Sequence, residues 1–398
     1  MIKTTNFTDL ENINLTKEIS LVSPMDCPLT TIIMGKGYDT TGSKIVTWRE
    51  KTLDNTEDIS QVEGSTTNTF QSSARAEKSN VCEIFKKATS ISGTADASSI
   101  TGVSNLFAEE INDRLIEMKV NIEKKLINGT KDDGSTSPYV RKMDGLLAFA
   151  LPENIVKSPT ITEPKIKETV KKLWDAGMSS GTYIAMVNAD LKEDIDALYA
   201  NKYSYIAQES LFGLIVSSIQ TNYGTIKLVL NRHMPTDKMV VFDPAFVKIS
   251  YLRQPHFELL AKTGDSINGH VIAEMTLKML NQKAIAVFEI DVVAPILSGA
   301  TIDDTKKIVT ITMSEKISNA TASIAALKEK VTVATDGTTF AALGASDKVA
   351  ITNGKLVVTF NSALSTATNK IKVGADALKD SAGNKNAEFT TDAIDATV

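Results

Sequence analysis

The sequence predicts an α+β protein that ends in a separate all-β sandwich. Three observations predict this class: one long amphipathic helix, a later group of strands with period-two alternation, and an abrupt change of composition at Pro295. At 398 residues, the chain is long enough for two or three domains, each with a core of its own.

Residues 1–43 are predicted to form an N-terminal arm. Their apolar side chains are scattered, and Pro24 and Pro28 interrupt any long helix. Such a segment cannot bury its own apolar groups, so we expect it to lie against something else. A frayed terminus is the alternative interpretation.

Residues 44–92 are predicted to form an extended β-hairpin loop. Strands are expected at Lys44–Glu50 and Val81–Ser90, with roughly thirty polar residues between them. Compact domains rarely carry so long a connection without a functional reason, and a two-stranded projection is marginally stable by itself. We therefore expect the hairpin to be stabilised by lying on a neighbouring subunit. A disordered loop is the alternative.

The longest predicted helix covers residues 104–128. Its apolar residues recur at steps of three or four over about seven turns, which is the stripe of a 3.6-residue period. They are Val103, Phe107, Ile111, Leu115, Met118, Ile122 and Leu126. Ser104 or Asn105 is expected to cap the start, and Gly129 to end the helix in a left-handed conformation. Taken alone, this stretch indicates a long core helix.

Residues 151–246 are predicted to form an α+β unit with helices around a small sheet. A helix is expected at Glu163–Ala176, with Pro164 in its first turn and Gly177 past its end. Its inward side chains are predicted to be Ile166, Val170, Leu173 and Trp174. A second helix is expected after Asn188, and strands are expected at Thr182–Val187, Leu214–Ile219, Ile226–Leu230 and Met239–Phe242.

Residues 247–290 are dominated by strand patterns. From Val271 to Met279, apolar and polar residues alternate, which predicts a half-buried strand. The long helix needs an apolar surface, so these strands are expected to return and pack beneath it. Residues 93–150 and 247–291 would then form one domain.

Beyond Pro295 the chain contains no Trp, Tyr, His, Cys or Arg, and its 11 acidic residues equal its 11 lysines. Short alternating strands are expected at Ile308–Met313, Val331–Ala334, Lys355–Phe360, Lys370–Gly374 and Glu388–Thr391. Turns rich in Asx and Gly separate them. This pattern predicts a β-sandwich over residues 295–398.

The charge balance excludes a strong nucleic-acid binder. The chain has 43 basic and 48 acidic residues, a net charge of −5, and lacks a dense Lys/Arg cluster. Contact with DNA is therefore expected to be weak and nonspecific. The two cysteines indicate synthesis in a reducing compartment. No secretory signal and no membrane-spanning run is recognised.

No catalytic, cofactor-binding or metal-binding residue is predicted, and the chain is not expected to be an enzyme. His233, His256 and His270 are isolated, and no phosphate-binding loop or nucleophile elbow is present. Cys27 is interpreted as a structural thiol. The Asp303-Asp304 pair and the segment 380–384 could offer oxygens to calcium, but turn residues bonded to their own backbone are the favoured interpretation.

Several segments resemble tailed-bacteriophage major capsid proteins of the Hong Kong 97-like fold family. They are Asn6-Phe-Thr-Asp-Leu-Glu, Val22-Ser-Pro-Met-Asp-Cys-Pro-Leu, Val46-Thr-Trp-Arg, Glu123-Lys-Lys-Leu-Ile-Asn-Gly, Asp144-Gly-Leu, Gly224-Thr-Ile-Lys-Leu-Val-Leu-Asn-Arg-His-Met-Pro, Leu260-Ala-Lys-Thr-Gly-Asp and Glu274-Met-Thr-Leu. The resemblance covers residues 1–291. It implies a peripheral domain (93–150 and 247–291) containing a spine helix (104–128), and an axial domain (151–246). Residues 295–398 are similar to bacterial immunoglobulin-like modules, notably Asp376-Ala-Leu-Lys-Asp-Ser-Ala-Gly-Asn-Lys-Asn.

This resemblance implies a structural function: self-assembly into an icosahedral or prolate head shell around phage DNA. The expected partners are copies of the chain in hexamers and pentamers, a portal, and a separate scaffold or protease. From the absence of a helical scaffolding segment before the arm in this sequence, any assembly scaffold is expected to be a separate protein or absent, and no cross-linking pair is assigned. The sandwich is expected to face outward, where it could contact a host surface. The expected location is the virion, after synthesis in the host bacterial cytoplasm. Alternatives are an encapsulin-type nanocompartment, a surface or S-layer-like adhesin, and a hydrolase, which the missing site opposes.

Overall fold

A computed structural model of the chain describes residues 27–52, 59–66, 70, 72–98, 106–178, 181–199, 205–211, 214–262 and 264–396. For residues 52, 205–211 and 214–217 the description is limited to the backbone. The first 26 residues of the predicted arm and the predicted helix caps Ser104 and Asn105 lie outside the described residues.

The described helices are α1 (Pro28–Gly35), α2 (Gly93–Ala97), α3 (Leu106–Asn128), α4 (Glu163–Asp175), α5 (Ala189–Tyr199) and α6 (Ile324–Glu329), with short 3-10 turns at Leu146–Phe149, Pro152–Asn154, Pro244–Phe246 and Gln282–Ala284.

The strands up to the end of the α+β region are β1 (Asp39–Thr40), β2 (Ile45–Thr52), β3 (Ala74–Val81), β4 (Glu83–Ser92), β5 (Ile155–Ser158), β6 (Thr182–Val187), β7 (Tyr205–Leu211), β8 (Leu214–Thr221), β9 (Gly224–Leu230), β10 (Lys238–Phe242), β11 (Val247–Leu259), β12 (Ser266–Met279) and β13 (Ile285–Ile290). The C-terminal strands are β14 (Leu297–Ile302), β15 (Ile308–Met313), β16 (Ser318–Asn319), β17 (Val331–Ala334), β18 (Ala341–Ala342), β19 (Lys348–Thr352), β20 (Lys355–Thr359), β21 (Lys370–Val373), β22 (Leu378–Lys379) and β23 (Phe389–Thr390).

The chain divides into two compact units. The first contains Met1–Ile155 and Ile166–Phe288, and the second contains Val156–Lys165 and Glu289–Val398. The second unit therefore begins at Glu289 and includes a segment from the middle of the chain, whereas the sequence prediction placed its start at residue 295.

In the first unit, α3 packs on a four-stranded sheet of order β1-β11-β12-β4. The helix buries the predicted stripe at Ile111, Leu115, Met118, Ile122 and Leu126. These side chains share one hydrophobic cluster with residues of β11 and β12. Burying each such side chain stabilises the fold by about 1.5–3 kcal/mol. The prediction that the late strands return beneath the long helix is therefore confirmed.

The strand β12 differs from its prediction because both of its faces are buried. Glu274 and Thr276, which the alternation placed on the solvent side, are only 5% and 0% exposed. The strand lies between β11 and β4 in the sheet. Polar residues on its second face are therefore covered, and Glu274 needs partners.

Part of the segment predicted as an arm belongs to the core. Residues 28–35 form α1, with Pro28 in its first turn, and Leu29, Ile32 and Ile33 are fully buried beside α3. Proline suits this position because its missing N–H is one that a helix start leaves unpaired anyway. The apolar residues of this part of the chain are thus buried within the same subunit.

The hairpin exists, but its second strand was wrongly predicted. The partner of β2 is β3, with Ile45 opposite Val81 and Thr52 opposite Ala74. The expected partner, Val81–Ser90, overlaps β4, which pairs with β12 instead. Half of β3 is solvent-exposed and most of its residues are polar, so it lacks the apolar alternation by which strands are recognised.

Gly129 does not adopt the predicted left-handed conformation, since its φ is not positive. Instead, the chain passes so close that a Cβ there would lie 2.5 Å from the Met143 carbonyl oxygen. The Gly145 N–H donates to the Gly129 carbonyl oxygen at 2.9 Å. The two glycines permit this approach because neither has a side chain.

A second sheet of the first unit contains the strands β13-β10-β6-β9-β8-β7 in that order. β6 pairs parallel with β9 and antiparallel with β10. The helix α4 buries Ile166, Val170 and Leu173, and Gly177 follows it with a φ of +80°. Trp174, predicted to be inward, is 52% exposed and packs on the Tyr223 ring, 5.8 Å between centroids.

The second unit is built from short antiparallel strands around its own hydrophobic cluster. Two four-stranded sheets have the orders β14-β15-β20-β19 and β18-β17-β21-β23. Side chains from both sheets, such as Val309, Leu356, Val331 and Ile371, lie in one cluster. The five predicted strands are present, and α6 is an addition that the sequence analysis did not predict.

Candidate functional site

The cysteines and histidines do not form a catalytic constellation within the described residues. Cys27 and Cys82 are buried and form no disulfide, and burial, with the nearby Glu274 charge, raises the pKa of Cys82 to about 11. A buried, protonated thiol is a poor nucleophile.

Two of the histidines predicted to be isolated share one carboxylate. His256 Nε2 lies 2.7 Å from Glu258 Oε1, and His270 Nε2 lies 3.2 Å from Glu258 Oε2. The sequence spacing could not show this pair because His270 reaches Glu258 across the β11–β12 ladder. His256, Glu258 and His270 together join the ends of β11 and β12. His233 lies elsewhere, beside α3.

The acidic turns have the structural roles that the sequence favoured. Asp303 Oδ1 accepts the N–H groups of Lys307 and Ile308, and Asp380 Oδ1 accepts those of Gly383 and Asn384. These are side chains that bond to their own turns.

Three carboxylates converge in the second unit: Asp291, Glu315 and Asp380 offer oxygens within 4.8 Å of one another. Lys157 supplies a cation there, 2.9 Å from Asp291 and 3.6 Å from Glu315. Burial raises the pKa of Asp291, but the Lys157 hydrogen bond and the Val293 N–H outweigh it, so the pKa is lowered. For Glu315, burial is the larger effect and the pKa is raised. The lysine makes this group an internal ion-pair cluster.

The base of the β2–β3 hairpin is fastened to the core by Asn80, whose side chain is fully buried. Its Nδ2 donates to the carbonyl oxygens of Leu277 (2.8 Å) and Asp144 (3.1 Å). Its Oδ1 accepts the N–H groups of Val81 and Asp144, each at 2.9 Å. On the paired strand, Trp48 packs on Phe149, with 6.1 Å between ring centroids. The base is thus held in one orientation.

The distal half of the β2–β3 hairpin, in contrast to its base, is exposed to solvent. In β3 the exposed residues run from Ala74 to Glu77, and the two strands form a sheet of their own. Among the described residues beyond them, Ile59, Val62 and Phe70 are 85%, 81% and 88% exposed. These three large apolar side chains are candidates for an interaction surface on the hairpin.

A second buried polar group joins α1 to α3. The Glu123 carboxylate accepts hydrogen bonds from the N–H groups of Leu29 (2.8 Å) and Thr30 (2.9 Å), from the Thr30 hydroxyl (2.6 Å) and from Asn231 Nδ2 (2.7 Å). It therefore caps the start of α1, where helix N–H groups favour a negative charge. Burial raises the pKa of Glu123 and exceeds the opposing effect of these bonds.

Glu274 on β12 is paired with two arginines. Arg141 Nη2 lies 2.6 Å from Glu274 Oε1, and Arg253 Nε lies 3.0 Å from Glu274 Oε2. The pairing compensates the burial of this carboxylate and ties the loop after α3 to the sheet. Its sequence separation, 133 residues to Arg141, explains why pattern analysis missed it.

In its described part, the first unit thus carries a hairpin whose base is fixed to the core and whose distal half is exposed. The sequence model of the SU10 major capsid protein family matches residues 3–291. The chain belongs to this family of capsid shell proteins. The resemblance to tailed-phage major capsid proteins and their α+β fold is confirmed over these residues. A search of curated protein sequences gave no match.

Solved structures with a similar fold include both phage capsids and an encapsulin. The chain is 9% identical to the capsid protein of cyanophage A-1(L), covering 72% of this chain and 98% of that one, with a TM-score of 0.49. It is 13% identical to a protein of the satellite phage P4 procapsid, covering 71% and 92%, with a TM-score of 0.45. It is 13% identical to the SrpI encapsulin of Synechococcus elongatus, covering 65% and 86%, with a TM-score of 0.47.

Among the helices that the structure describes, none is long and apolar enough to cross a membrane.

Proposed function

We propose that this chain builds the icosahedral or prolate head of a tailed phage from hexamers and pentamers, and that the β2–β3 hairpin clamps each subunit to its neighbour. The observation that carries the proposal is the contrast between the two halves of the hairpin. Asn80 and Trp48 fix its base, whereas Ile59, Val62 and Phe70 lie exposed on its distal part. A rigid base aims the distal surface at a neighbouring copy.

The deletion of residues 54–69 tests this clamp. The shortened subunit should remain soluble and folded, because the deleted residues that the structure describes, 59–66, are not part of the hydrophobic cluster of the first unit. It should not form stable shells. A sharper variant combines Ile59→Ser, Val62→Ser and Phe70→Ser. Ile324→Ser, at a 48% exposed position of the second unit, is the matched control and should assemble normally. Normal shells from the deletion, seen by negative-stain electron microscopy, would refute the clamp.

The contents of the shells separate the two functions that this family of folds suggests. In a phage head the lumen holds DNA, with weak, nonspecific contacts to the wall, and assembly further involves a portal and a separate scaffold or protease. The virion is then the final location, after synthesis in the bacterial cytoplasm. Particles from the native source that contain cargo enzymes in place of DNA would favour an encapsulin-type compartment.

We further propose that the second unit is an immunoglobulin-like module on the outer surface, where it could contact a host. Support comes from its two-sheet core and from the equal numbers of acidic residues and lysines beyond Pro295. Truncation after Asp291 should give shells of normal diameter that lack surface protrusions. Because Lys157 belongs to the same unit and pairs with Glu315, full-length Lys157→Met is the control for the loss of that contact. Loss of assembly in the truncated chain alone, or density for the module in the lumen, would refute its outward position.

A further inference from the structure

A groove beside the C-terminal half of α3 concentrates positive charge in an otherwise acidic subunit. Its volume is about 710 Å³, and all of its lining residues belong to the first unit. They are Glu83, Phe85, Asn121, Lys124, Lys125, Asn128, Arg232 and His233. Three of them are permanently cationic, whereas Glu83 is the single acidic residue of the lining. The whole chain, in contrast, carries a net charge of −5.

The polar residues of α3 in this groove occupy one face of the helix. Asn121, Lys124, Lys125 and Asn128 follow one another at steps of three, one and three residues, so their side chains point to the same side. This stripe is distinct from the buried stripe at Ile122 and Leu126. The helix therefore presents two ammonium groups, flanked by two amides, to solvent.

The loop that carries Arg232 and His233 is held beside this stripe by a chain of hydrogen bonds. Asn128 Nδ2 donates to the His233 carbonyl oxygen at 3.1 Å, and the His233 N–H donates to Asn231 Oδ1 at 2.9 Å. Asn231, fully buried, is in turn bonded to Glu123 of α3 at 2.7 Å. The arrangement of cations from two separate elements is thus fixed in the folded subunit.

The single acidic side chain does not neutralise the groove. Glu83 is mostly buried, its Oε2 accepts the Met143 N–H at 3.0 Å, and its Oε1 lies 4.0 Å from Lys125 Nζ. Burial raises the pKa of Glu83 above its ordinary value. Lys124 and Arg232, both in the lining, are solvent-exposed.

We infer that this groove binds the phosphodiester backbone of DNA, and that it is the site of the weak contact between subunit and genome; the inference rests on the proposed head-shell function. Lysine, arginine and asparagine side chains are the groups that commonly hold backbone phosphates, and such contacts carry no sequence specificity. Because the chain is acidic overall, contact with a polyanion is favoured where lysine and arginine side chains cluster and counterions can be released. Repetition of the groove on every subunit of a shell multiplies a weak single contact.

Salt-dependent binding of the purified full-length subunit to a fluorescent DNA duplex tests the inference. The variant Lys124→Gln/Arg232→Gln removes two exposed cations. Its affinity at about 50 mM salt should fall about tenfold or more, and the slope of log K against log salt should decrease by about 2. The control Lys171→Gln/Lys262→Gln changes the net charge equally at exposed positions outside the groove. Its affinity should stay within about twofold of wild type.

Three results would overturn the inference. Equal losses in the groove and control variants would mean that only net charge matters. Displacement of the duplex by inorganic phosphate, at an ionic strength where chloride has no effect, would identify a site for free phosphate ions. Unchanged DNA binding together with lost assembly would assign the groove to an acidic segment of a neighbouring copy. Shell formation is imaged by electron microscopy on the same preparations. Absence of shells from the wild-type protein would contradict the head-shell proposal, whereas the DNA-binding measurements test the groove.

Discussion

Replacement of Asn80 should loosen the hairpin and destabilise the first unit together. This side chain joins the end of β3 to Leu277 on β12 and to both main-chain groups of Asp144. Asn80→Ala removes all four hydrogen bonds without changing the hydrophobic cluster, of which Asn80 is not part. The main-chain groups of Leu277, Val81 and Asp144 thereby lose their hydrogen bonds to the Asn80 side chain.

The size of the effect follows from the burial of each group. The bonds to Leu277 and Val81 are buried, so each orphaned group costs about 1–3 kcal/mol. The two bonds to Asp144 are half-buried, and water replaces them in part. We therefore expect Asn80→Ala to lower the free energy of unfolding by about 3 kcal/mol, a large part of the 5–15 kcal/mol typical of a domain.

Asn80→Asp sharpens the test because it keeps the shape and Oδ1. The second oxygen of the new carboxylate faces two carbonyl oxygens, at the positions where Nδ2 now donates across 2.8 and 3.1 Å. Protonation restores a donor, so the folded state should raise the pKa of this group. Stability is then present below the unfolded pKa of about 3.9 and is lost as the pH rises through the higher folded value. The deficit of this variant should therefore grow with pH, whereas that of Asn80→Ala should not.

Urea unfolding of the free subunit, followed by Trp48 fluorescence, measures these changes. Trp48 is 8% exposed at the hairpin base, and Trp174→Phe removes the other, exposed tryptophan from the signal. Ser79→Ala is the neighbouring control; it loses only an exposed contact with Lys131 and should change stability by less than about 0.5 kcal/mol. An Asn80→Ala variant as stable as this control would refute the account of how the hairpin is held.

Three further predictions concern other buried polar groups. Glu123→Ala should lower the free energy of unfolding by about 3–5 kcal/mol, and Glu123→Gln should lower it less. Because burial raises the pKa of Glu123, the contribution of this carboxyl group to stability should fall as the pH rises above its unfolded pKa of about 4.3. Denaturation at pH 5 and at pH 7 should show this decrease in the wild type but not in Glu123→Gln. Cys27 and Cys82 should resist a thiol reagent at pH 8 until the chain is denatured; reaction of either in the native subunit would contradict their burial. In thermal unfolding at neutral pH, Lys157→Met should destabilise the second unit by about 1–3 kcal/mol relative to the wild type. This difference should shrink at acidic pH, because protonation of the carboxylates removes the ion pairs from the wild type as well. A difference that does not change with pH would contradict the ion-pair interpretation.

The parts of the fold that apolar periodicity determines were predictable. The stripe of α3, most of the apolar face of α4 and the strands β15, β20 and β21 bury the side chains that a period of 3.6 or 2 assigns to one face. The errors occur where burial does not follow that period. Trp174 lies on the apolar side of α4 by spacing but packs on Tyr223 near the surface, and β12 is covered on both faces by its place in the sheet.

The hairpin shows why its existence was easier to predict than its pairing. The long polar excursion is visible in the sequence, so a projection was predicted. The strand β3, however, is exposed along half its length, and no apolar pattern marks it. The register was therefore assigned to the next apolar stretch, which belongs to β4. The exposed half of β3 packs on no core of its own subunit, so its residues need not alternate.

The buried hydrogen bonds of Asn80 and Glu123 could not be predicted from the sequence, for a related reason. Asn80 meets Leu277 across 197 positions, and Glu123 meets Thr30 across 93. In a periodic analysis such polar residues are assigned to solvent, yet here they are buried and fully engaged. Because hydrogen bonds are directional, they fix the orientation of the hairpin on the core, whereas apolar packing alone would let the two surfaces shift against each other. A hairpin that must meet a neighbour at a set angle is therefore better held by a buried amide than by another leucine, and the loss of that amide should impair assembly more than the loss of an equal amount of apolar contact elsewhere.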